Sequence, residues 1–281
     1  MIRILTDSTC DILPHEAARM QVEVVPLQVT LEDGTTYRDG LDLTPDEFYS
    51  YLKTCHKLPI TSQPSPEAFL THFEEDKQAG DEVIAILLSS HISGTYQSAK
   101  IASTVADYPN IHLIDGLNAS LGNQLLVRLA VSLREQGKTA QEIAAILEHE
   151  KHKVRLLAVV DDLKYFRKGG RLNGAEAFAG TILGIKPVVG MKHGTVGIVG
   201  KARGMAGAYV TLFKQIDEEG GINFEKEYLV GYTGSRKAAD PIIRYLTVNK
   251  NLPTPPLFHI GPVIGTHSGP GAAGIAFFAA D

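Results

Sequence analysis

Glu82-Val83-Ile84-Ala85-Ile86-Leu87-Leu88-Ser89-Ser90-His91-Ile92-Ser93-Gly94-Thr95 is the stretch that decides the fold. An apolar run of strand length stops at two serines, and a helical pattern starts at Ser93-Gly94-Thr95. Working outward, the apolar runs at 2–6, 22–29 and 111–115 repeat the theme, separated by segments of 3.6-residue periodicity. Strands alternating with helices predict a largely parallel sheet. Helix starts are well marked: Thr44-Pro45-Asp46-Glu47 and Thr139-Ala140-Gln141-Glu142 read as capping boxes, and Ser65-Pro66-Glu67 puts Pro at the first helical position. Glu32-Asp33-Gly34-Thr35 predicts a hairpin turn, and so a small antiparallel excursion from the sheet.

Further along, the charged helix ending around Glu148-His149-Glu150-Lys151-His152 gives way to Leu156-Leu157-Ala158-Val159-Val160, which places a domain boundary near residue 153. Beyond it, strands are expected near Val188, Val196, Leu229 and Phe258 and over 275–279, with helices over 175–183, 206–218 and 237–248. Leu252-Pro253-Thr254-Pro255-Pro256 reads as a stiff connector. The expectation is two α/β domains. Residues 1–153 form a Rossmann-like, mainly parallel sheet, and residues 154–281 form a mixed sheet.

A chain of 281 residues suits one large or two ordinary domains, and 44% hydrophobic with 21% charged residues suits a globular protein with a sizeable core. No apolar run approaches the ~20 residues that span a bilayer. Met1-Ile2-Arg3-Ile4-Leu5 runs straight into a strand without the features of a signal peptide, so a cytoplasmic location is expected. Cys10 and Cys55 read as two unpaired reduced thiols. A net charge of −5 gives no global reason to bind nucleic acid or an anionic membrane, so membrane contact is expected to be transient at most. Local basic groups remain available to an anion.

Three distant segments are dense in hydroxyls and glycines: Thr61-Ser62-Gln63-Pro64-Ser65, Ser89-Ser90-His91-Ile92-Ser93-Gly94-Thr95-Tyr96 and Gly265-Thr266-His267-Ser268-Gly269-Pro270-Gly271. Brought together they make a small anion site suited to a carboxylate or a phosphate, since hydroxyls donate and glycines admit backbone N–H groups. The Ser93 loop lies at the carboxyl end of a strand, where open parallel sheets bind ligands, and the helix behind it favours a negative charge. Each segment also has a plainer reading. Thr61-Ser62 is a loop before a cap at Ser65, Ser93 is a cap, and Arg203 is a surface charge at a helix start. His15, His56, His72, His149 and His152 read as ordinary surface or core histidines. His267 stands apart, in a glycine-flanked loop able to approach a ligand.

Together with Lys164-Tyr165-Phe166-Arg167-Lys168-Gly169-Gly170-Arg171, Gly184-Ile185-Lys186-Pro187 and Lys201-Ala202-Arg203-Gly204, these segments resemble the DegV family of bacterial fatty-acid-binding proteins. Matching segments run in order from Thr6-Asp7-Ser8-Thr9 to Gly274-Ile275-Ala276-Phe277. The resemblance implies that one long-chain fatty acid, such as palmitate, lies between two domains. It assigns Thr61, Ser62 and His267 to the carboxylate and Arg203 to the head-group region; Ser93 joins them through its helix. It also implies a carrier without catalytic activity, cofactor or metal, which presents the carboxylate to a separate ATP-dependent fatty-acid kinase.

Other chemistries find less support. Lys168-Gly169-Gly170-Arg171 and Gly137-Lys138-Thr139 lack phosphate-loop spacing, and Gly269-Pro270-Gly271-Ala272-Ala273-Gly274 has too little chain after it for a dinucleotide fold. No Gly-x-Ser-x-Gly elbow occurs, and Ser50-Tyr51-Leu52-Lys53 falls within an expected helix. A Ser/His esterase is the second reading, because triads are defined by geometry. An enzyme of the sugar or triose-phosphate type on a related scaffold is the third.

Overall fold

The apolar runs become strands where hydrophobic side chains can be covered on both faces. The computed structural model describes residues 1–173 and 184–280. Four strands, β1 (Ile2–Asp7), β2 (Val22–Val25), β6 (Glu82–Leu87) and β7 (Ile111–Asp115), form a parallel sheet in the order β2-β1-β6-β7. Between β2 and β6 come β3 (Gln28–Thr30), β4 (Thr36–Arg38) and β5 (Ile60–Ser62), a small antiparallel sheet in the order β4-β3-β5. The expected strand over 22–29 is two strands. Pro26 carries no N–H to continue the ladder, so the chain leaves the parallel sheet there and re-pairs elsewhere. The hairpin turn stands as read, with Gly34 at φ +87° and Leu31 N–H donating to Thr35.

Helices cover both faces of the parallel sheet. Phe69 and Phe73 of α3 (Pro66–Ala79) and Ala99 and Ala102 of α4 (Thr95–Ala106) pack on one face. The other takes α1 (Pro14–Met20), α5 (Leu121–Glu135) and α6 (Ala140–Glu150). Thr44, ahead of α2 (Pro45–Leu52), and Thr139, ahead of α6, both close capping boxes.

The remaining strands form a six-stranded mixed sheet in the order β10-β9-β8-β13-β11-β12. They are β8 (Val154–Val159), β9 (Ile185–Lys192), β10 (Thr195–Arg203), β11 (Tyr228–Tyr232), β12 (Leu257–His259) and β13 (Ala273–Phe278). Alternation along β13 sorts its side chains, since successive residues face opposite sides. Ile275 and Phe277 pack with α8 (Gly204–Glu218) and α9 (Asp240–Arg244), while Ala276 and Phe278 join the core shared with α5, α6 and the parallel sheet. Helix α5 is therefore apolar on more than one face. The helical stretch expected over 237–248 is a 3-10 turn, then α9, then a π turn, broken where Pro241 starts α9. The helix expected over 175–183 lies outside the described residues.

Two further short helices are α7 (Lys164–Gly169) and α10 (Pro262–Ser268). The segment holding His267 is thus the last turn of a helix, not a loop. Its glycines serve packing. Gly261 caps α10 and Pro262 opens it, whereas a Cβ on Gly265 would stand 2.5 Å from Tyr49 Oη and 2.8 Å from Phe48 Cε1. Alanine is the better helix former by about 1 kcal/mol, but overpacking a core costs about 1–3 kcal/mol. Gly265→Ala is therefore expected to lower stability in urea denaturation. Equal or greater stability would show that α10 is not held against α2.

Candidate functional site

A cavity of ≈ 400 Å³ opens on the face of the mixed sheet that looks toward the first half of the chain. Its floor exists because side chains are missing. Gly231 pairs with Gly274, Gly274 with Ala158 and Ala158 with Val189, so one row across β11, β13, β8 and β9 carries two glycines and an alanine. All four residues line the cavity, and Leu27, Leu88, Leu121, Leu156, Ile260 and Val263 are among its other walls. The volume falls in the roughly 300–1,000 Å³ range of small-molecule sites.

Polar side chains gather at one end. Strand β5 pairs with β3 so that Thr61 stands opposite Val29 and Ser62 opposite Gln28. Helix α10 brings His267 to the same place, with Nε2 3.0 Å from Thr61 Oγ1. Ser93 lies just ahead of α4, at the carboxyl end of β6; its Oγ accepts from Thr95 N–H at 3.3 Å and sits 2.9 Å from Thr95 Oγ1. In the order β2-β1-β6-β7 the connections run to opposite sides from β1 and β6, the switch point at which open parallel sheets bind ligands. Gln63 ties two of these pieces together. Its amide donates to Ser98 Oγ of α4 at 3.0 Å and rests against Gly94, where any Cβ would be 2.0 Å from Gln63 Oε1.

Three other hydroxyls along the cavity are already engaged. Ser120 donates to Asp11, Thr233 accepts from the Ala272 N–H, and Ser268 donates to the Ile264 carbonyl. The tail of a ligand would therefore meet mostly hydrocarbon, with these three hydroxyls already satisfied.

His267 is held neutral. Burial, with help from the Arg171 charge, pushes it down to about 4. Its Nδ1 is buried without a hydrogen-bond partner among the described residues, so no carboxylate orients the ring as a hydrolytic triad requires. A second pocket of ≈ 210 Å³ is lined by Ile60, Lys168 and Gly169 together with Thr61, Arg171 and His267, which line the larger cavity too. Ile60 and Lys168 are exposed. The polar end thus lies between an apolar interior and a basic opening. Among the described residues no group of three or more His, Cys, Asp or Glu is arranged to hold a metal.

Thr61, Ser62, Ser93 and His267 all line this one cavity. Arg203 does not. It is exposed at the last position of β10, seven residues beyond the cavity-lining Val196, roughly 20 Å along an extended strand. The arginine at the polar end is Arg171, whose Nε donates to the Ile92 carbonyl at 3.2 Å and whose guanidinium also donates to the Gly169 carbonyl at 2.7 Å. Its signal was the basic pair around Gly169-Gly170. The row Gly231, Gly274 and Ala158 was also missed, although glycine inside a strand is a sign of close approach.

The whole chain has relatives. Residues 1–280 match the model of the DegV family, a family whose own description is "uncharacterised protein". A DegV domain-containing protein of Caldanaerobacter subterraneus is 35% identical over 277 residues, covering 98% of each chain, and Protein DegV of Bacillus subtilis is 32% identical over 279 residues with the same coverage. Among solved structures, a fatty-acid-binding DegV family protein from Thermus thermophilus superposes with a TM-score of 0.90 at 32% identity, over 99% of both chains. DegV of Bacillus subtilis, a fatty acid binding protein, gives 0.84 at 32% over 98% of both, and a stearic acid-binding protein from Eubacterium ventriosum gives 0.86 at 29%, over 98% of this chain and 97% of that one. With a full-length family match and relatives above 30% identity, this chain belongs to the DegV family.

Proposed function

We propose that the protein binds one long-chain fatty acid, such as palmitate, between an N-terminal domain (1–153) and a C-terminal domain (154–281). The acyl chain lies over the Gly231–Gly274–Ala158 row, and the carboxylate meets Thr61, Ser62, Ser93 and His267, with Arg171 at the opening. One observation carries the reading: an apolar cavity at one end of which Thr61, Ser62, Ser93 and His267 collect. The fatty acids bound by structural relatives support it. Thr61 then uses its hydroxyl to bridge His267 and the carboxylate. An Nε2–H tautomer donates to Thr61, leaving the Thr61 O–H for the ligand and a lone pair, the less costly group to leave unpaired, at Nδ1.

Within this reading the protein is a cytoplasmic carrier with no catalysis of its own, and a separate ATP-dependent kinase phosphorylates the carboxylate. His267 Nδ1, which has no partner among the described residues, speaks against the esterase alternative. The basic pocket sharing Thr61, His267 and Arg171 gives a partner access to the head group. Among the described residues no helix is long and apolar enough to cross a membrane.

Tail and head contribute unequally. Burying a chain of about sixteen carbons is worth on the order of 10 kcal/mol gross at ~0.8 kcal/mol per CH₂, against ~1.5–3 kcal/mol for a hydrogen bond to a carboxylate. Ala158→Phe fills the cavity from its floor and is expected to lower palmitate affinity at least tenfold in calorimetric titration of delipidated protein, without loss of fold. Undiminished binding would place the acyl chain elsewhere. Ser93→Ala and Thr61→Ala are expected to keep most bound fatty acid yet lose about a hundredfold in acyl-phosphate formation with a cognate kinase, because small misplacements at a reacting centre cost that much. Variants that empty the protein while turnover per bound lipid stays constant would reverse this division.

A further inference from the structure

The opening segment Thr6-Asp7-Ser8-Thr9-Cys10-Asp11 contributes none of its side chains to the cavity wall, yet Asp7, Ser8 and Asp11 are all buried there, as is Asp39. Asp11 is 8% exposed and Asp39 3%, and neither is paired with a lysine or arginine among the described residues. Their oxygens are taken by donors from other loops. Asp11 Oδ1 accepts the Gly261 N–H at 2.8 Å and Oδ2 the Ser120 hydroxyl. Asp39 Oδ1 accepts the Val263 N–H at 3.2 Å and Oδ2 the Ser8 hydroxyl at 2.7 Å. Both carboxylates close on one residue, for a Cβ on Gly261 would lie 3.1 Å from Asp11 Oδ1 and 3.3 Å from Asp39 Oδ1. Gly261 and Val263 begin α10, and His267 ends it.

We propose that Asp11 and Asp39 are positioning residues for His267, gripping the first turn of α10 so that its last turn sets the imidazole against Thr61. The helix is seven residues long, about two turns, too short to absorb a displacement at its start. Their oxygens also satisfy N–H groups that a helix start would otherwise leave unpaired. Tyr49 adds a third hold, donating from Oη to the Ile260 carbonyl at 3.0 Å. All three holds come from the first half of the chain and act on the segment that carries the histidine. The function assigned to this arrangement rests on reading His267 as a head-group residue; the arrangement itself is independent of it.

The test follows the His267 ring by NMR in delipidated full-length protein, its signal identified by its loss in His267→Gln. In the parent protein the ring is expected to titrate at about 4. Asp11→Ala and Asp39→Ala release α10, admit water to the ring and are expected to raise that value by about one unit or more toward 6.5. Asp11→Asn and Asp39→Asn keep an oxygen for the N–H and are expected to stay near the parent value. Asp76→Ala, which removes a buried carboxylate from α3, is expected to leave His267 alone. Should an Ala variant fail to fold, Ser8→Ala and Ser120→Ala loosen the same carboxylates and are expected to shift the ring the same way by less. Folded variants in which His267 titrates as in the parent, or an equal shift in Asp76→Ala, would overturn the proposal. Failure of the delipidated parent to take up palmitate would instead overturn the fatty-acid reading and leave the titration result intact.

Discussion

Burying a carboxylate without a cation is costly unless donors surround it, and this fold commits three of them at the carboxyl end of its first strand. Asp7 accepts from the Thr9 amide and hydroxyl and from the Leu88 N–H, which begins the loop leading to Ser93. Ser8 accepts from the Leu27 N–H just ahead of β3, the strand that carries β5 and Thr61 as its neighbour, and donates to Asp39. Asp11 and Asp39 take the start of α10. Each hydroxyl-rich segment therefore hangs from the same few buried oxygens. Desolvation drives these acids upward, Asp11 to about 8 and Asp39 to about 7, a cost that their donors offset in part.

The site is a consequence of two absences. Glycine and alanine leave a trough across the mixed sheet, and the larger side chains of the loops above close it without filling it. At the polar end, among the described residues, the missing partner is that of His267 Nδ1, and Gly169 permits the approach: a Cβ there would stand 2.1 Å from that nitrogen. An apolar tail and an anionic head are the complement of this shape. A hydrolytic triad would need in addition an acid fixing the histidine, and among the described residues none stands at His267 Nδ1.

Most of the fold was legible because burial on both faces leaves a plain mark. The runs that became β1, β6 and β7 are apolar and bounded by polar turns, and the capping boxes at Thr44 and Thr139 formed as their side chains dictate. The reading failed where tertiary contacts overrode local preference. Gly265 and Gly269 suggest a loop, yet Phe48, Tyr49 and Tyr165 need their missing side chains, so the segment is the helix α10. The apolar run over 22–29 suggests one strand, although the donor that Pro26 lacks forces a change of sheet there. Thr61, Ser62, Ser93 and His267 were legible as hydroxyl and histidine clusters. Arg203, assigned by resemblance, lies off this cavity and Arg171 lines it, because sequence neighbourhood does not say how far a strand carries a residue from a site.

The central claim is that this cavity holds a fatty acid. Organic extraction of the protein purified from a heterologous host, followed by quantitative mass spectrometry, addresses it most directly. The account predicts one long-chain fatty acid per protein chain, of about sixteen to eighteen carbons, retained through a mild wash because the buried tail dominates affinity. Protein that emerges free of lipid and takes up no added palmitate would contradict it.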